Sequence, residues 1–331
     1  MRKTVLLSTS IGIAVLLACA VALLAALASA PAASAASREH GASFAVRCDF
    51  SHRLSDDPIV HPNEPGASHS HDFFGNTTTN AYSTYQTMTT GIDPHDPPPP
   101  TPPLTTCSRP EDTAGYWIPS VSWKDQNGTQ TTLTSNRAVF YYRAGDKDYR
   151  TVQPFAKDLR IITAKNINGS RIRWYCGSGG GDDDKSGSAD PPTQCSGGVL
   201  GLKIIFPDCV AEQSPGVQKI DSTDDPDPTR VHKSHMARSV AQSDGTRVCP
   251  STHPIPVPTL TINANFPIPT TQGQVTLSSD GPTDPPGSTM HSDFWNTWNQ
   301  AELERLVVEC INKVPPTDPR PEQCRAPTAT A

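Results

Sequence analysis

Proline divides this chain into short segments. The 331 residues include 34 prolines, which gather in connectors such as 93–100. Proline fixes φ and lacks a backbone N–H, so these connectors cannot be helices or central strands. Residues 177–192, 221–228 and 281–287 are further polar, turn-rich connectors. The sequence therefore predicts short elements joined by long Pro/Gly-rich loops.

Strand-like runs lie between the connectors. They are mostly four to eight residues long and rich in β-branched or aromatic side chains. Apolar and polar residues alternate in 171–175 and 259–263, as in half-buried strands. The runs are 43–46, 116–123, 138–142, 159–164, 171–175, 200–206, 259–266 and 274–277. This pattern predicts a mainly β fold, an antiparallel β-sandwich-like single domain.

One C-terminal amphipathic helix is also predicted. Apolar residues recur at helical spacing, and charged residues lie off that stripe. The stripe consists of Leu303, Leu306, Val307, Cys310 and Ile311. Asn299 and Asn296 are alternative N-caps, because a short polar side chain can accept a bond from the first turn.

The N-terminus has the features of a secretory signal. Arg2 and Lys3 precede an apolar stretch at 11–28, and Ala33-Ser34-Ala35 fits the cleavage rule. The prediction is a signal peptide at 1–35 and one secreted, extracellular domain at 36–331. An uncleaved membrane anchor is the alternative, because the apolar stretch is just long enough to cross a bilayer.

The cysteines predict a disulfide framework. Of nine cysteines, Cys19 leaves with the signal, and eight remain for an oxidising compartment, so four disulfides are expected. Eight cysteines allow 105 pairings. We predict that neighbours in sequence pair, as Cys48–Cys107, Cys176–Cys195, Cys209–Cys249 and Cys310–Cys324. The absence of a C-x-x-C spacing argues against zinc ribbons and thioredoxin-like chemistry.

The charge is mild, at −6, and the sequence contains no Lys/Arg run. Nucleic acid is therefore not an expected partner. We expect a monomer with no membrane contact once the signal is cleaved.

Three histidine-containing segments carry the candidate chemistry. They lie at 68–76, 232–236 and 290–296, and each places metal-capable groups beside aromatic residues or methionine. Such groups can position a proton or a metal. We therefore predict one polar site, built from three distant segments that converge.

One interpretation of these segments is a metal site. His69 and His71 are two residues apart, so in a strand their imidazoles point to the same face. His235, next to Met236, would suit a soft metal. The predicted ligands are His69, His71 and His235, with copper or zinc as the metal. The alternative is a set of loop histidines that bond backbone carbonyls.

The other interpretation is glycoside hydrolysis. Asp72 and Asp293 each precede two aromatic residues, and an apolar wall raises a carboxyl pKa as a general acid requires. They are predicted as an acid/base pair, with His71 and His291 as catalytic partners. The predicted substrate-binding residues are His69, Phe74, Asn76, His235, Trp295 and Asn296. The alternative is that the aromatic residues are core and each aspartate caps a turn.

Seven segments in order resemble one known family. They are 57–60, 65–76, 141–143, 206–209, 234–236, 253–258 and 291–296. Together they resemble the DUF1996 family of secreted fungal and bacterial proteins, over about 44–310. Some fungal relatives carry wall-sensing or carbohydrate-binding modules, so the resemblance implies a polysaccharide-facing role by association.

Three functions follow as hypotheses. The leading one is a protein that acts on or binds cell-wall polysaccharide, with glycoside hydrolase as the expected enzyme class. The second is an extracellular copper or zinc protein, and the third is a non-catalytic wall-binding module. Bound metal would separate the second from the others, and released reducing ends would separate the first from the third.

Overall fold

A computed structural model describes residues 41–92, 103–164, 171–178, 187–211 and 235–327. The predicted signal peptide at 1–35, the connector at 93–100 and the loop at 221–228 lie outside the described residues. No helix in the described ranges is long and apolar enough to cross a membrane.

Strands dominate the described part of the chain, as predicted. Each of the eight predicted runs contains a strand, and the run at 116–123 divides at Ser120 into two. The strands are β1 Ser43–Cys48, β2 Phe50–Leu54, β3 His71–Gly75, β4 Gly115–Pro119, β5 Val121–Asp125, β6 Gln130–Thr132, β7 Arg137–Arg143, β8 Arg160–Ala164, β9 Arg171–Cys176, β10 Val199–Ile205, β11 Cys209–Val210, β12 Met236–Ala237, β13 Val240–Ala241, β14 Arg247–Val248, β15 Ile255–Pro256, β16 Thr259–Pro267, β17 Gly273–Leu277 and β18 His291–Trp295.

Two five-stranded antiparallel sheets form the framework. Sheet I has the order β1-β7-β16-β10-β9, and sheet II has the order β2-β3-β4-β18-β8. Side chains from both sheets share one apolar core. The rings of Tyr116 in sheet II and Phe140 in sheet I, for example, are 4.0 Å apart between centroids. The predicted sandwich-like, mainly β fold is confirmed.

The outer face of sheet II is also covered. Successive side chains of a strand point to opposite faces, so Phe74 and Phe294 enter the shared core while Phe73 and Trp295 point away from it. There a second, smaller cluster is formed by Ile59, Phe73, Met88, Trp117, Ile162 and Trp295. Polar side chains at this face are therefore shielded from water.

The helices are short and capped. Helix α1, Tyr85–Thr90, begins at Thr84, whose side chain accepts from the Thr87 N–H. Helix α2, Gln300–Leu306, begins at Asn299 and continues as a π-helix over Val307–Asn312. The predicted apolar stripe is buried, as expected. Asn296 is not the cap, because its amide donates to the backbone oxygen of Ala156.

All four predicted disulfides form, with the predicted pairing. They join Cys48 to Cys107, Cys176 to Cys195, Cys209 to Cys249 and Cys310 to Cys324. Each closes a loop between cysteines that are neighbours in sequence. In the chain-entropy account, such a loop stabilises the fold by roughly 3 kcal/mol when it is about 15 residues long.

Candidate metal centre

Two strands of sheet II bring His71 and His291 together. Strands β3 and β18 flank β4, where His71 pairs with Pro119 and Asp293 pairs with Trp117. His291 precedes Asp293 by two residues on β18, so the two side chains point to the same face of the sheet. Both imidazoles extend over the outer face, and their Nε2 atoms are 3.3 Å apart.

His69 completes the cluster from the loop just before β3. Its Nε2 lies 3.2 Å from Nε2 of His291, and its ring centroid is 4.3 Å from that of His71. The ligand atoms of the three histidines all lie within 4.8 Å of one another. His71 is buried while His69 and His291 are half-buried, so the cluster lies at the edge of the shielded face.

Backbone carbonyls fix the tautomers of two of these imidazoles. Nδ1 of His71 is 2.9 Å from the Asp56 oxygen, and Nδ1 of His291 is 2.9 Å from the Thr289 oxygen. A carbonyl can only accept, so each Nδ1 carries the proton and each Nε2 presents a lone pair to the cluster. Metal-bound histidines are commonly oriented in this way.

The imidazoles of His71 and His291 are not protonated near neutral pH, so their Nε2 lone pairs stay close together. The pKa of His71 is lowered to about 3, mainly by burial and in part by the adjacent His69. Burial also lowers the pKa of His291 to about 3, with a further contribution from His71. The imidazoles are therefore neutral, which is the form that binds metals. A cation between the nitrogens would turn their repulsion into attraction.

The spacing of the nitrogens fits a tetrahedral ion. With zinc–nitrogen bonds of about 2.0–2.1 Å, tetrahedral ligands lie about 3.3–3.4 Å apart. Square-planar neighbours at the same bond length would lie about 2.8–3.0 Å apart. The two measured separations, 3.2 Å and 3.3 Å, match the tetrahedral arrangement more closely.

Two buried carboxylates adjoin the histidines. Asp57, His71 and Asp293 form a second group whose ligand atoms lie within 4.8 Å of one another. Asp293 is two residues from His291 on β18 and faces the same side of the sheet. The negative charge of Asp57 raises the pKa of His69 and of His291, against the larger effect of burial. Both carboxyl groups would therefore lie next to a cation held by the histidines.

Sequence reasoning missed Asp57 as a site residue. It contributed only to the family resemblance, as the first residue of the segment at 57–60. Its Oδ1 accepts from the backbone N–H groups of Ile59 and Val60. A carboxylate that shapes a turn looks like ordinary loop chemistry in a sequence. Only the fold of this loop over sheet II brings it to the histidines.

Asp72 lies on the opposite face of the sheet from His71 and Asp293. Its carboxylate accepts from Arg53 Nε at 2.6 Å and from Ser120 Oγ at 2.7 Å. Asp72 is adjacent to His71 on β3, so its side chain points to the opposite face from the histidines. A catalytic role for Asp72 stays a prediction. The geometry does not support pairing Asp72 with Asp293 across one glycosidic bond.

His235 also lies away from the cluster. Its Nε2 is 2.7 Å from the backbone oxygen of Arg160. Arg160 is at one end of β8 and pairs with Trp295, whereas His291 pairs with Ala164 at the other end. Four residues of strand separate the two ends, about 13 Å. His291 takes the third position that the sequence assigned to His235.

The remaining substrate-binding candidates are buried. Phe74 belongs to the shared core. Asn76 donates to the backbone oxygens of Met88 and Thr113, and the Trp295 indole N–H donates to Asp158. The Asn296 amide donates to the backbone oxygen of Ala156, before β8. The fold uses these polar atoms itself, and their contact with a substrate stays a prediction.

The comparisons with known proteins add one finding. The model of the family described as Domain of unknown function (DUF1996) matches residues 57–298. This range lies inside the predicted one and contains Asp57, the three clustered histidines and Asp293. A search of curated proteins and a search of solved structures each found no match.

Proposed function

Because this chain belongs to the DUF1996 family, whose description assigns no activity, we propose its function from the histidine cluster. We propose that it is a secreted metalloprotein that binds one zinc ion through Nε2 of His69, His71 and His291. The supporting observation is that these nitrogens meet at 3.2 Å and 3.3 Å. Neutral imidazoles whose Nε2 lone pairs face one another, as those of His71 and His291 do, attract a cation between them.

Three protein ligands are typical of catalytic zinc sites, whereas structural sites usually have four. A fourth position would remain for water at the half-buried edge of the cluster. Zinc lowers the pKa of a bound water to about 7 and so supplies a nucleophile for hydrolysis. Asp57 and Asp293 would accept hydrogen bonds from that water. The proposed reaction class is metal-assisted hydrolysis.

The metal test uses the mature chain, 36–331, produced by secretion without a metal-binding tag. Elemental analysis after dialysis should find one zinc per chain, and cobalt substitution should give tetrahedral absorption. His71→Ala and His291→Ala should each abolish tight zinc binding, because each leaves only two protein ligands. His253→Ala, in the turn before β15, is the matched control and should keep the metal. Wild-type protein that binds no zinc in a chelator competition would refute the proposal, and tighter copper binding would correct the metal.

Cell-wall polysaccharide is the proposed substrate class, supported by the family resemblance. The test is a panel of α- and β-glucans, mannans, arabinans and chitin, scored for new reducing ends with zinc-loaded and chelated protein. Zinc-dependent release would support hydrolysis. Retention on a polysaccharide without release would favour a wall-binding module. If neither release nor retention is observed, the protein is a metalloprotein with another substrate.

Secretion is part of the proposal and is consistent with the four disulfides. N-terminal sequencing of protein recovered from the medium should start at about Ala36. Protein found only in the membrane fraction with its N-terminus intact would favour the uncleaved anchor.

A further inference from the structure

Two of the four disulfides have a buried carboxyl group beside one sulfur. Sγ of Cys48 is 3.9 Å from Oδ2 of Asp112, and Sγ of Cys209 is 3.9 Å from Oδ1 of Asp208. In each bridge that sulfur belongs to a fully buried cysteine, and the partner cysteine as a residue is less buried. The two bridges therefore form a natural matched pair.

The two carboxyl groups differ in charge. Burial by itself would raise the pKa of Asp208, but Lys147, Arg238 and several hydrogen bonds hold it at about 2. Burial raises the pKa of Asp112 to about 8, and the Tyr116 hydroxyl, the Ala114 N–H and the charge of Arg109 offset only part of this effect. At neutral pH Asp208 is ionised, whereas Asp112 holds a proton.

This difference matters for disulfide exchange. An external thiolate attacks the accessible sulfur, and the electron pair of the S–S bond passes to the other sulfur. A thiolate released in apolar surroundings is a poor leaving group, because burial raises its pKa. A proton donor beside the buried sulfur removes that penalty.

We propose that the Cys48–Cys107 bridge is a site of thiol–disulfide exchange in which Asp112 donates a proton to the leaving sulfur of Cys48. A low-molecular-weight thiol is the reductant. Its thiolate bonds to Sγ of Cys107, the Cys48–Cys107 bond breaks, and Cys48 takes the proton from Asp112. A second thiolate then releases Cys107 and forms the oxidised disulfide of the reductant.

A chain of buried hydroxyls stabilises the carboxylate that results. The Trp298 indole N–H donates to the Tyr142 hydroxyl at 3.0 Å, and the hydroxyls of Tyr142 and Tyr116 are 2.6 Å apart. The Tyr116 hydroxyl in turn donates to Asp112 Oδ2 at 2.9 Å. These aligned donors favour the ionised form once the proton has left.

Opening this bridge would act on the strand that carries His71. Cys107 lies in a segment whose Thr106 N–H donates to the Gly75 oxygen at the end of β3. The bridge fastens that segment to the end of β1. Exchange at Cys107 would therefore loosen one support of the strand that begins at His71.

The first test compares two bridges in the same wild-type molecule. Folded protein is treated with glutathione, quenched by alkylation and digested, and each bridge is followed by mass spectrometry. The ratio of the opening rate of Cys48–Cys107 to that of Cys209–Cys249 does not depend on the thiolate concentration. We expect this ratio to fall about tenfold or more between about pH 6.5 and about pH 9, as Asp112 loses its proton. A ratio that stays flat or rises would overturn the proposal.

The second test removes the donor. Asp112→Asn should slow opening of Cys48–Cys107 about tenfold or more at neutral pH and leave Cys209–Cys249 unchanged. An unchanged or faster rate at Cys48–Cys107 alone would contradict the assignment. If the variant does not fold, both bridges open faster, and the ratio in wild-type protein then decides.

Discussion

Two polar clusters in this protein differ in how their hydrogen-bond donors and acceptors are matched. Around Asp208, donors match acceptors: Lys147 Nζ donates to its carboxylate at 2.6 Å, and Ser239 and Thr259 donate at 2.8–2.9 Å. In the histidine cluster, the lone pairs of His71 and His291 face each other across 3.3 Å. The first cluster pairs its charges internally, whereas the second presents facing lone pairs that a cation would bridge.

The comparison gives a physical criterion for a ligand site. Buried polar groups are normally paired, because an unpaired one costs free energy. A cluster whose members satisfy one another stabilises the fold. A cluster of acceptors that face one another is maintained by the fold against repulsion, which is the expected state of a site that awaits a ligand.

The largest effect is expected from breaking the Asp208 cluster. Asp208→Asn leaves the buried ammonium of Lys147 without its counter-charge and should lower the free energy of unfolding by about 3–5 kcal/mol. Zinc stoichiometry should not change. Urea denaturation of metal-free protein measures the loss. The control is Asp148→Asn, which removes an exposed ion pair with Arg150 and should have no measurable effect. Equal stability of Asp208→Asn and wild type would contradict the claim that the Asp208 cluster stabilises the fold.

Removing a histidine should instead abolish the part of the free energy of unfolding that depends on zinc. At zinc concentrations of about 100 to 1,000 times Kd, binding adds about 3–4 kcal/mol to the stability of wild-type protein. His71→Ala should lose this increment, in addition to a metal-independent cost for the cavity and for the Asp56 carbonyl left without its donor. Thermal or urea unfolding with and without zinc measures it, and His253→Ala should keep the full increment. A variant that keeps the full zinc-dependent increment would instead indicate a structural histidine.

Acid should weaken the Asp208 cluster. The pKa of Asp208 is about 2 in the folded protein, below the ordinary value of 3.8 that we take for the unfolded chain. A lowered carboxyl pKa contributes stability that is present above the unfolded value and is lost as pH falls through the folded one. The expected loss between about pH 4 and about pH 2 is about 2 kcal/mol. Urea unfolding at these pH values measures it, and the loss should shrink in Asp208→Asn. An equally steep loss in that variant would assign the acid sensitivity to other groups.

Local sequence patterns were enough to predict much of this molecule. Strands follow from runs of β-branched residues, the C-terminal helix from the stripe that includes Leu303, and the disulfides from pairing neighbours. His69 and His71 share a site because they are two residues apart, just before and at the start of β3. These features depend on residues that are close in sequence, where side-chain period and chain length limit the choices.

The rest of the site depends on long-range strand pairing. His291 reaches His71 because β18 and β3 both pair with β4, across 220 residues of sequence. His235 offered an equally plausible motif, but it contacts Arg160 at one end of β8, whereas His291 pairs with Ala164 at the other end. Asp72 was assigned to the site although the period of two places it opposite His71. No local pattern reports which distant strand becomes a neighbour.

The smallest expected effect tests the two faces of sheet II directly. Asp293→Asn should weaken zinc binding about tenfold, since a carboxylate beside a metal typically contributes a factor of about 10–100 in affinity. Asp72→Asn should leave zinc affinity unchanged, because its carboxylate is held by Arg53 and Ser120 on the core side. Competition with a fluorescent chelator measures both affinities under the same conditions. Both changes replace a carboxylate by an amide of the same shape in strands of one sheet, so they differ mainly in the face they occupy. Equal weakening by the two variants would show that general electrostatics, rather than the outer face of sheet II, determines zinc affinity.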